Sequence, residues 1–186
     1  MLTPEGCGKR QEKLRQQMES CGWDLFLTTD HRTIYYLTGS LGTEDVPAVL
    51  ILWNDDRSAL VTSVTAPAMV KEVIPLEAYS LSRCITDPAG DAASLVRSLL
   101  GGMTYKRPAA ERSRVPGLFE DLLPGDVQDA SAALLKMRKY KEKDEIAEVK
   151  ESLALIKVAY GAAREAIAPG LTEIDVYSAM YAAVVE

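Results

Sequence analysis

The sequence predicts an α/β fold, a mixed β-sheet with helices on its faces. Segments of helical periodicity alternate with short apolar runs of strand length, and two of those runs flank an acidic turn. A dense charge run at 138–145 then precedes a long helical pattern, which separates the C-terminal part from the rest. A chain of 186 residues has room for one full domain and part of a second.

The first half of the chain alternates helix and strand. Apolar residues at helical spacing predict an early helix that Gly22 ends. Asp30 is placed to cap a short helix that ends at Gly39, and residues 54–57 form the turn of a β-hairpin. In order, the expected elements are a helix over 9–21, a strand over 24–28, a helix over 31–38, a loop over 39–46, and hairpin strands over 48–53 and 58–62.

Shorter elements follow the hairpin. An amphipathic helix is expected before the glycine pair Gly101-Gly102, which stops it. The expected elements are a helix over 66–73, a strand over 77–81, a helix over 91–100, a strand over 109–112, a helix over 116–122, a strand over 127–130 and a helix over 134–139.

The C-terminal part predicts two further helices. One apolar stripe runs from Ile146 to Ile167 at steps of three and four, and Pro169-Gly170 ends that helix. Thr172 then opens the last helix, where its hydroxyl is expected to accept from the N–H of Asp175 in a capping box. This last helix is apolar on most sides and requires burial on more than one face, so we expect the chain to lack structure that covers it. The alternative is that both helices pack on the preceding domain.

Composition and charge exclude several classes of function. The net charge of −6 argues against nucleic acid or an anionic membrane as a partner. The longest apolar stretch, 46–53, is far shorter than the roughly 20 residues of a membrane span. The three cysteines, Cys7, Cys21 and Cys84, fit neither a disulfide framework nor a zinc site. With no signal peptide in 1–13, these features predict a cytoplasmic protein.

Four motifs, in this order and spacing, carry a resemblance to a known family. They are Gly22-Trp23-Asp24-Leu25-Phe26-Leu27, the tyrosine-leucine-threonine-glycine element within 33–39, the charged junction 135–148, and Ile167-Ala168-Pro169-Gly170-Leu171-Thr172-Glu173. Together they resemble the creatinase/prolidase/Xaa-Pro aminopeptidase family over nearly the whole chain.

The resemblance implies a hydrolase of two domains. Residues 1–137 would form the N-terminal domain, which shapes access to the active site and contributes to a homodimer, and 138–186 would begin a catalytic domain of pita-bread fold. Peptidase members hold two divalent metal ions, such as Mn, Co or Zn, on two aspartates, a histidine and two glutamates. Those ligands would lie outside this chain, so no metal site or catalytic residue is assigned and the chain alone is expected to be inactive. A metal-free creatine-type amidinohydrolase or a lyase of the same family is the alternative.

His31, Arg32 and Tyr36 are the substrate-proximal candidates. His31 and Arg32 precede the tyrosine-rich helix, at a position that in the family lies near the mouth of a catalytic cleft, commonly the partner subunit's. Arg32 could bind a carboxylate of a small peptide or amide substrate in bidentate fashion. The alternative is a solvated pair at a helix start, with Tyr36 in the core. A second function class is a stand-alone binding or dimerisation module that uses its apolar C-terminal helices.

Overall fold

The computed structural model describes residues 1–42, 45–64, 68–78 and 87–185. Its contacts divide the chain into two compact units, Leu2–Lys141 and a C-terminal unit that begins at Glu142. The first unit is an α/β domain built on one mixed sheet, and the second is helical. The predicted fold class is therefore confirmed.

The sheet of the first unit places an antiparallel centre between parallel outer pairs. Among the described residues it holds six strands in the order β4-β3-β2-β1-β5-β6. The pairs β1–β2 and β2–β3 are antiparallel, whereas β3–β4, β1–β5 and β5–β6 are parallel. The strands are β1 Leu25–Thr28, β2 Val49–Trp53, β3 Ser58–Thr62, β4 Glu72–Pro75, β5 Pro108–Ala110 and β6 Gln128–Asp129.

Helices cover both faces of this sheet. The described residues of the first unit hold α1 Pro4–Cys21, α2 His31–Thr38, α3 Pro88–Leu100, α4 Gly117–Glu120 and α5 Ser131–Lys139. One core cluster joins Leu25 and Leu27 of β1 to α3 and α4, and a second joins Phe26 to α1, α2 and α5. Because successive side chains of a strand point to opposite faces, β1 supplies apolar residues to both clusters. The domain thus has three layers with the sheet in the middle.

Local signals in the sequence explain where α1 and α2 begin and end. The Thr3 hydroxyl accepts from the N–H of Gly6, with Pro4 following, and α1 ends where Gly22 takes the left-handed conformation at φ 68°. The predicted cap of α2 is confirmed, because the Asp30 carboxylate accepts from the N–H of Thr33 at 2.9 Å. Gly39, at φ 72°, ends α2 in the same left-handed conformation.

The predicted hairpin is confirmed, whereas the predicted helix over 66–73 is wrong. Of its described residues, 68–71 contain no helix, and strand β4 begins at Glu72, with Val73 paired to Leu60 of β3 in parallel register. A short apolar run does not distinguish helix from strand by periodicity, and here the β-branched pair Val73-Ile74 favours the strand. The strand predicted over 77–81 is absent at 77–78, and 79–81 lie outside the described residues, as do 66–67 and Cys84.

The other predicted elements of this unit are confirmed with shifted ends. Helix α1 begins at Pro4 rather than at Lys9, and α3 begins at Pro88, where Asp87 caps it. Helix α4 is shorter than predicted, and α5 is longer by one turn at its start. In the predicted loop 39–46, the described residues 39–42 and 45–46 contain no helix or strand.

The C-terminal unit consists of α6 Lys143–Ala166 and α7 Glu173–Val185, as predicted. A capping box starts α6, where the Glu145 carboxylate accepts from the N–H of Glu142 at 2.8 Å. At α7 the Thr172 side chain was expected to accept from the N–H of Asp175. Instead, the Thr172 hydroxyl and N–H both donate to the Asp175 carboxylate, at 2.6 and 2.8 Å. Of the expected capping box, only the hydrogen bonds from Thr172 to the Asp175 side chain are present.

Both helices of this unit carry exposed apolar side chains. On α7 the rings of Tyr177 and Tyr181 stack at 6.2 Å, and each residue is 60% exposed. Beside them a shallow groove of about 370 Å³ runs along α7, lined largely by apolar residues from Ile167 to Met180. Within the described residues, none of the helices has the length and hydrophobicity that a membrane span requires.

Candidate functional site

The candidate site lies where β1 and β5 end and α2 begins. The two strands are parallel, so their carboxyl ends meet at the same edge of the sheet. There the hydroxyl of Thr28 donates to the Glu111 carboxylate at 3.0 Å, and both residues are buried. In α/β proteins the carboxyl ends of parallel strands are the usual place for ligands, which makes this edge the natural location for a site.

Asp30 is the central acid of this edge. Besides capping Thr33 through the backbone, its carboxylate accepts from the Thr33 hydroxyl at 2.9 Å and from Arg114 Nη1 at 3.0 Å. Burial alone would raise the pKa of Asp30, but the hydrogen bonds from Thr33 and the charge of Arg114 outweigh it. The pKa of Asp30 is therefore lowered from 3.8, and the group is ionised at neutral pH.

Arg114 reaches Asp30 because the turn after β5 aims it there. The carbonyl oxygen of Glu111 accepts from the N–H of Arg114 at 2.7 Å and from that of Val115 at 3.0 Å. From the other side, the Thr29 hydroxyl donates to the carbonyl oxygen of Arg114 at 3.1 Å. The segments that follow β1 and β5 are thus joined by backbone and side-chain contacts as well as by the ion pair.

Arg138 brings a second guanidinium to the same place from the last turn of α5. It donates to the Thr33 hydroxyl at 2.6 Å and lies 3.9 Å from the Asp30 carboxylate. The same guanidinium lies 5.4 Å from the centroid of the Tyr36 ring. Arg138 therefore connects the C-terminal end of α5 to the cap and the first two turns of α2.

Tyr36 lies inside the core rather than at the rim. It is 8% exposed, and the wholly buried Arg10 lies 5.1 Å from its ring centroid. The Nε of Arg10 also donates to the carbonyl oxygen of Tyr36 at 2.5 Å. A substrate role for Tyr36 stays a prediction, and only a small part of its ring is open to solvent.

His31 and Arg32 lie side by side at the start of α2. Arg32 is exposed, and His31 is half-buried. Among the described residues, no group forms a hydrogen bond with the buried Nδ1 of His31. The ring lies against Gly42, where an added Cβ would be 2.9 Å from Nδ1, so this close approach requires a glycine. The two candidates are consecutive in the chain, and they differ in access: Arg32 is exposed, whereas the Nδ1 of His31 is buried.

Sequence reasoning identified Asp30 only as a helix cap. It missed Arg114 and Arg138, which are 84 residues and more from Asp30 along the chain, and no local pattern indicates such pairs. Within the described residues no cluster of three or more metal-binding side chains is found.

A model of the Creatinase/Prolidase N-terminal domain matches residues 10–140 of the chain. No curated protein matches this chain. Among solved structures, an Xaa-Pro dipeptidase from Bacillus anthracis is similar at TM-score 0.74 and 17% identity, over 96% of this chain and 49% of that one. An X-Pro aminopeptidase from Thermotoga maritima is similar at TM-score 0.74 and 16% identity, over 94% of this chain and 48% of that one.

A third structure covers only the N-terminal domain of its protein. The Creatinase/Prolidase N-terminal domain of an X-Pro dipeptidase from Streptococcus pyogenes is similar at TM-score 0.53 and 17% identity, over 69% of this chain and 98% of that one. The present chain thus spans about half the length of the two peptidases above. At these identities the similarity shows the fold.

Replacing Asp30 with asparagine tests the charge cluster. Asparagine can still accept from the N–H of Thr33 but loses the ion pairs, so we expect the free energy of unfolding at pH 7 to fall by about 1 kcal/mol. Because the folded-state pKa of Asp30 is lowered, this stabilisation is present above pH 3.8 and is lost as the pH falls through the folded value. Urea denaturation of the wild type and of Asp30→Asn between pH 7 and pH 3 measures this difference in the free energy of unfolding.

The control is Asp121→Asn at an exposed residue that ends α4. We expect this variant to change stability by less than about 0.5 kcal/mol. A difference in the free energy of unfolding between the wild type and Asp30→Asn that stays constant from pH 7 to pH 3 would contradict the role assigned to the Asp30 charge.

Proposed function

The chain belongs to the creatinase/prolidase N-terminal domain family, and we propose that it is the N-terminal part of a hydrolase that cleaves Xaa-Pro peptides. One observation supports this most directly. The similarity to the two peptidases extends over 96% and 94% of the chain, whereas the isolated Streptococcus pyogenes domain covers 69%. Helices α6 and α7 therefore have counterparts in proteins of which this chain covers about half.

On this proposal, residues 1–137 form the accessory domain and 138–186 begin the catalytic one. Such a hydrolase would use two divalent metal ions, Mn, Co or Zn, which lower the pKa of a bound water and polarise the scissile carbonyl. The described residues offer no cluster that fits such ions, so other residues of the full-length protein would bind them. The role of this chain is to bind and orient the substrate and to support a homodimer. The cytoplasmic location predicted from the sequence stays a prediction.

His31 and Arg32 are the proposed substrate contacts. Both follow β1 at the edge of the sheet where its carboxyl end lies beside that of β5, and the Asp30 side chain already caps α2 at Thr33 without them. The exposed guanidinium of Arg32 suits the terminal carboxylate of a dipeptide. The Nδ1 of His31 is buried against Gly42 and has no partner among the described residues, so a substrate that used this atom would have to displace the ring.

Two alternatives have support of their own. A metal-free amidinohydrolase or a lyase would share this N-terminal fold, because a fold does not fix the chemistry. A stand-alone dimerisation module is favoured by the exposed apolar side chains of α7, since monomeric proteins rarely expose large contiguous apolar patches.

The first test compares the 186-residue chain with the product of its full coding region. We expect the shorter chain to release no product from an Xaa-Pro dipeptide with Mn²⁺, Co²⁺ or Zn²⁺, because its described residues hold no metal-binding cluster. The longer protein, assayed identically, should turn over the dipeptide in a metal-dependent manner. Turnover by the shorter chain would refute the assignment, and a longer protein active only without metal would favour the amidinohydrolase or lyase.

The second test replaces Arg32 with alanine in the full-length protein. We expect KM for an Xaa-Pro dipeptide to rise about tenfold while kcat changes less than about twofold, because the lost contact is made equally in the ground and transition states. Arg97→Ala, at another exposed arginine on α3, is the control and should leave both constants unchanged. An unaltered KM in the Arg32 variant would contradict the proposed contact between Arg32 and the substrate.

The third test concerns the apolar side chains of α7. We expect the 186-residue chain to self-associate, with a mass in light scattering that approaches a dimer as the concentration rises. The double variant Ile174→Lys with Tyr177→Lys should stay monomeric, since charge on these exposed positions opposes an apolar contact. Leu135→Lys, on the equally exposed Leu135 of α5, is the control. A wild-type chain that is monomeric at every concentration would count against association through α7.

A further inference from the structure

The sulfur of Met103 receives two hydrogen bonds on the surface of the first unit. Arg57 Nη1 donates to it at 3.5 Å and the Tyr105 hydroxyl at 3.3 Å. A thioether sulfur is a weak hydrogen-bond acceptor, so even one strong donor is more than it usually has. Met103 is 47% exposed, so this residue is open to small molecules in solution.

Both donors are held in place by contacts that do not involve Met103. The Asp55 carboxylate accepts from Arg57 Nε through both oxygens, at 3.1 and 2.9 Å. The guanidinium of Arg57 also lies 5.0 Å from the centroid of the Trp53 ring. Trp53 Nε1 in turn donates to the Tyr105 hydroxyl at 3.0 Å, which leaves the phenolic proton directed to the sulfur. Each donor therefore has partners other than Met103 that orient it.

We propose that Met103 is a site of reversible oxidation by peroxides, and that Arg57 and Tyr105 bind the resulting sulfoxide. The sulfur lone pair attacks one oxygen of hydrogen peroxide, an S–O bond forms and the O–O bond breaks. The proton on the transferred oxygen moves to the departing oxygen, which leaves as water. The sulfur loses two electrons and the peroxide gains them. The product is polar, and a methionine sulfoxide reductase restores the thioether.

The oxidised side chain suits this position better than the thioether does. A sulfoxide oxygen carries partial negative charge, so it is a far stronger acceptor for a guanidinium and a phenol than sulfur is. The exposure of Met103 leaves the flexible side chain room to shift, and no polar oxygen has to be buried without a partner. Oxidation here should therefore tighten the link between the β2–β3 turn and the segment before β5.

Met69 provides the comparison within the same domain. It is 40% exposed, close to the value for Met103. Among the hydrogen bonds of the described residues, none reaches the sulfur of Met69, although its backbone N–H donates to the carbonyl oxygen of Thr38. Oxidation of Met69 thus adds a polar oxygen without a prepared donor.

The test treats the 186-residue chain with dilute hydrogen peroxide, maps the oxidised methionines by peptide mass spectrometry and measures Tm before and after. The contribution of Met103 is the change in Tm of the wild type minus the change in Met103→Leu. We expect it to be an increase of about 2–4 °C, which corresponds to one added hydrogen bond in a chain of this size. The same subtraction with Met69→Leu should give zero or a decrease. A reductase should restore the original Tm.

Removing a donor should abolish the increase. Tyr105→Phe deletes the hydroxyl, and Arg57→Gln, at a half-exposed side chain, serves if the buried Tyr105 variant does not fold. A decrease or no change in Tm on oxidation of Met103 would overturn the proposal. So would mapping that finds Met69 oxidised and Met103 intact, or an increase that persists without either donor.

Discussion

The burial of β1 on both of its faces is the constraint on which the first unit depends. All four residues of Leu25–Thr28 are buried, and the strand pairs with β2 on one side and β5 on the other. A strand without a solvent face requires a layer of helices above and below it. The chain supplies α1, α2 and α5 on one face and α3 and α4 on the other. The parallel pairing of β1 with β5 then places two strand ends, and the segments that follow them, at one edge of the sheet.

That edge concentrates charge, and the charge has a structural role. Asp30 faces Arg114 from the turn after β5 and Arg138 from α5, so three segments distant in sequence meet at one carboxylate. The Asp30 side chain is 11% exposed, and a partly buried carboxylate is costly unless it is paired and hydrogen-bonded. Here the carboxylate is hydrogen-bonded by Thr33 and paired with Arg114 and Arg138. The arrangement specifies how α2 and α5 pack more than it adds net stability, because misplacing either helix would leave the acid unpaired.

Local chemistry was predictable from the sequence, whereas long-range pairing was not. The Asp30 cap, the glycine that ends α2 and the β2–β3 turn each depend on a few adjacent residues, and all were predicted correctly. Strand β4 was missed because its short apolar run is compatible with a helix until β3 offers backbone partners. The contact of Arg138 with Thr33 spans 105 residues and leaves no pattern in the sequence. His31 and Arg32 could be selected as candidates only through the family resemblance.

The fold accounts for Asp30 and Arg138, and for the His31 ring that lies against Gly42, in a way that it does not account for Arg32. In the described residues the capping of α2 is complete without His31, and Arg32 takes part in no hydrogen bond or ion pair there. A helix start needs neither an imidazole nor a guanidinium, and the partial positive charge of the helix N-terminus disfavours a cation at this position. Stability therefore does not explain the presence of Arg32, whereas an anionic substrate group would be attracted by the guanidinium and by the helix terminus together. At identities of 16–17% to the peptidases the shared fold cannot specify a substrate. On the proposed function, Arg32 is accordingly the residue to test first for substrate preference.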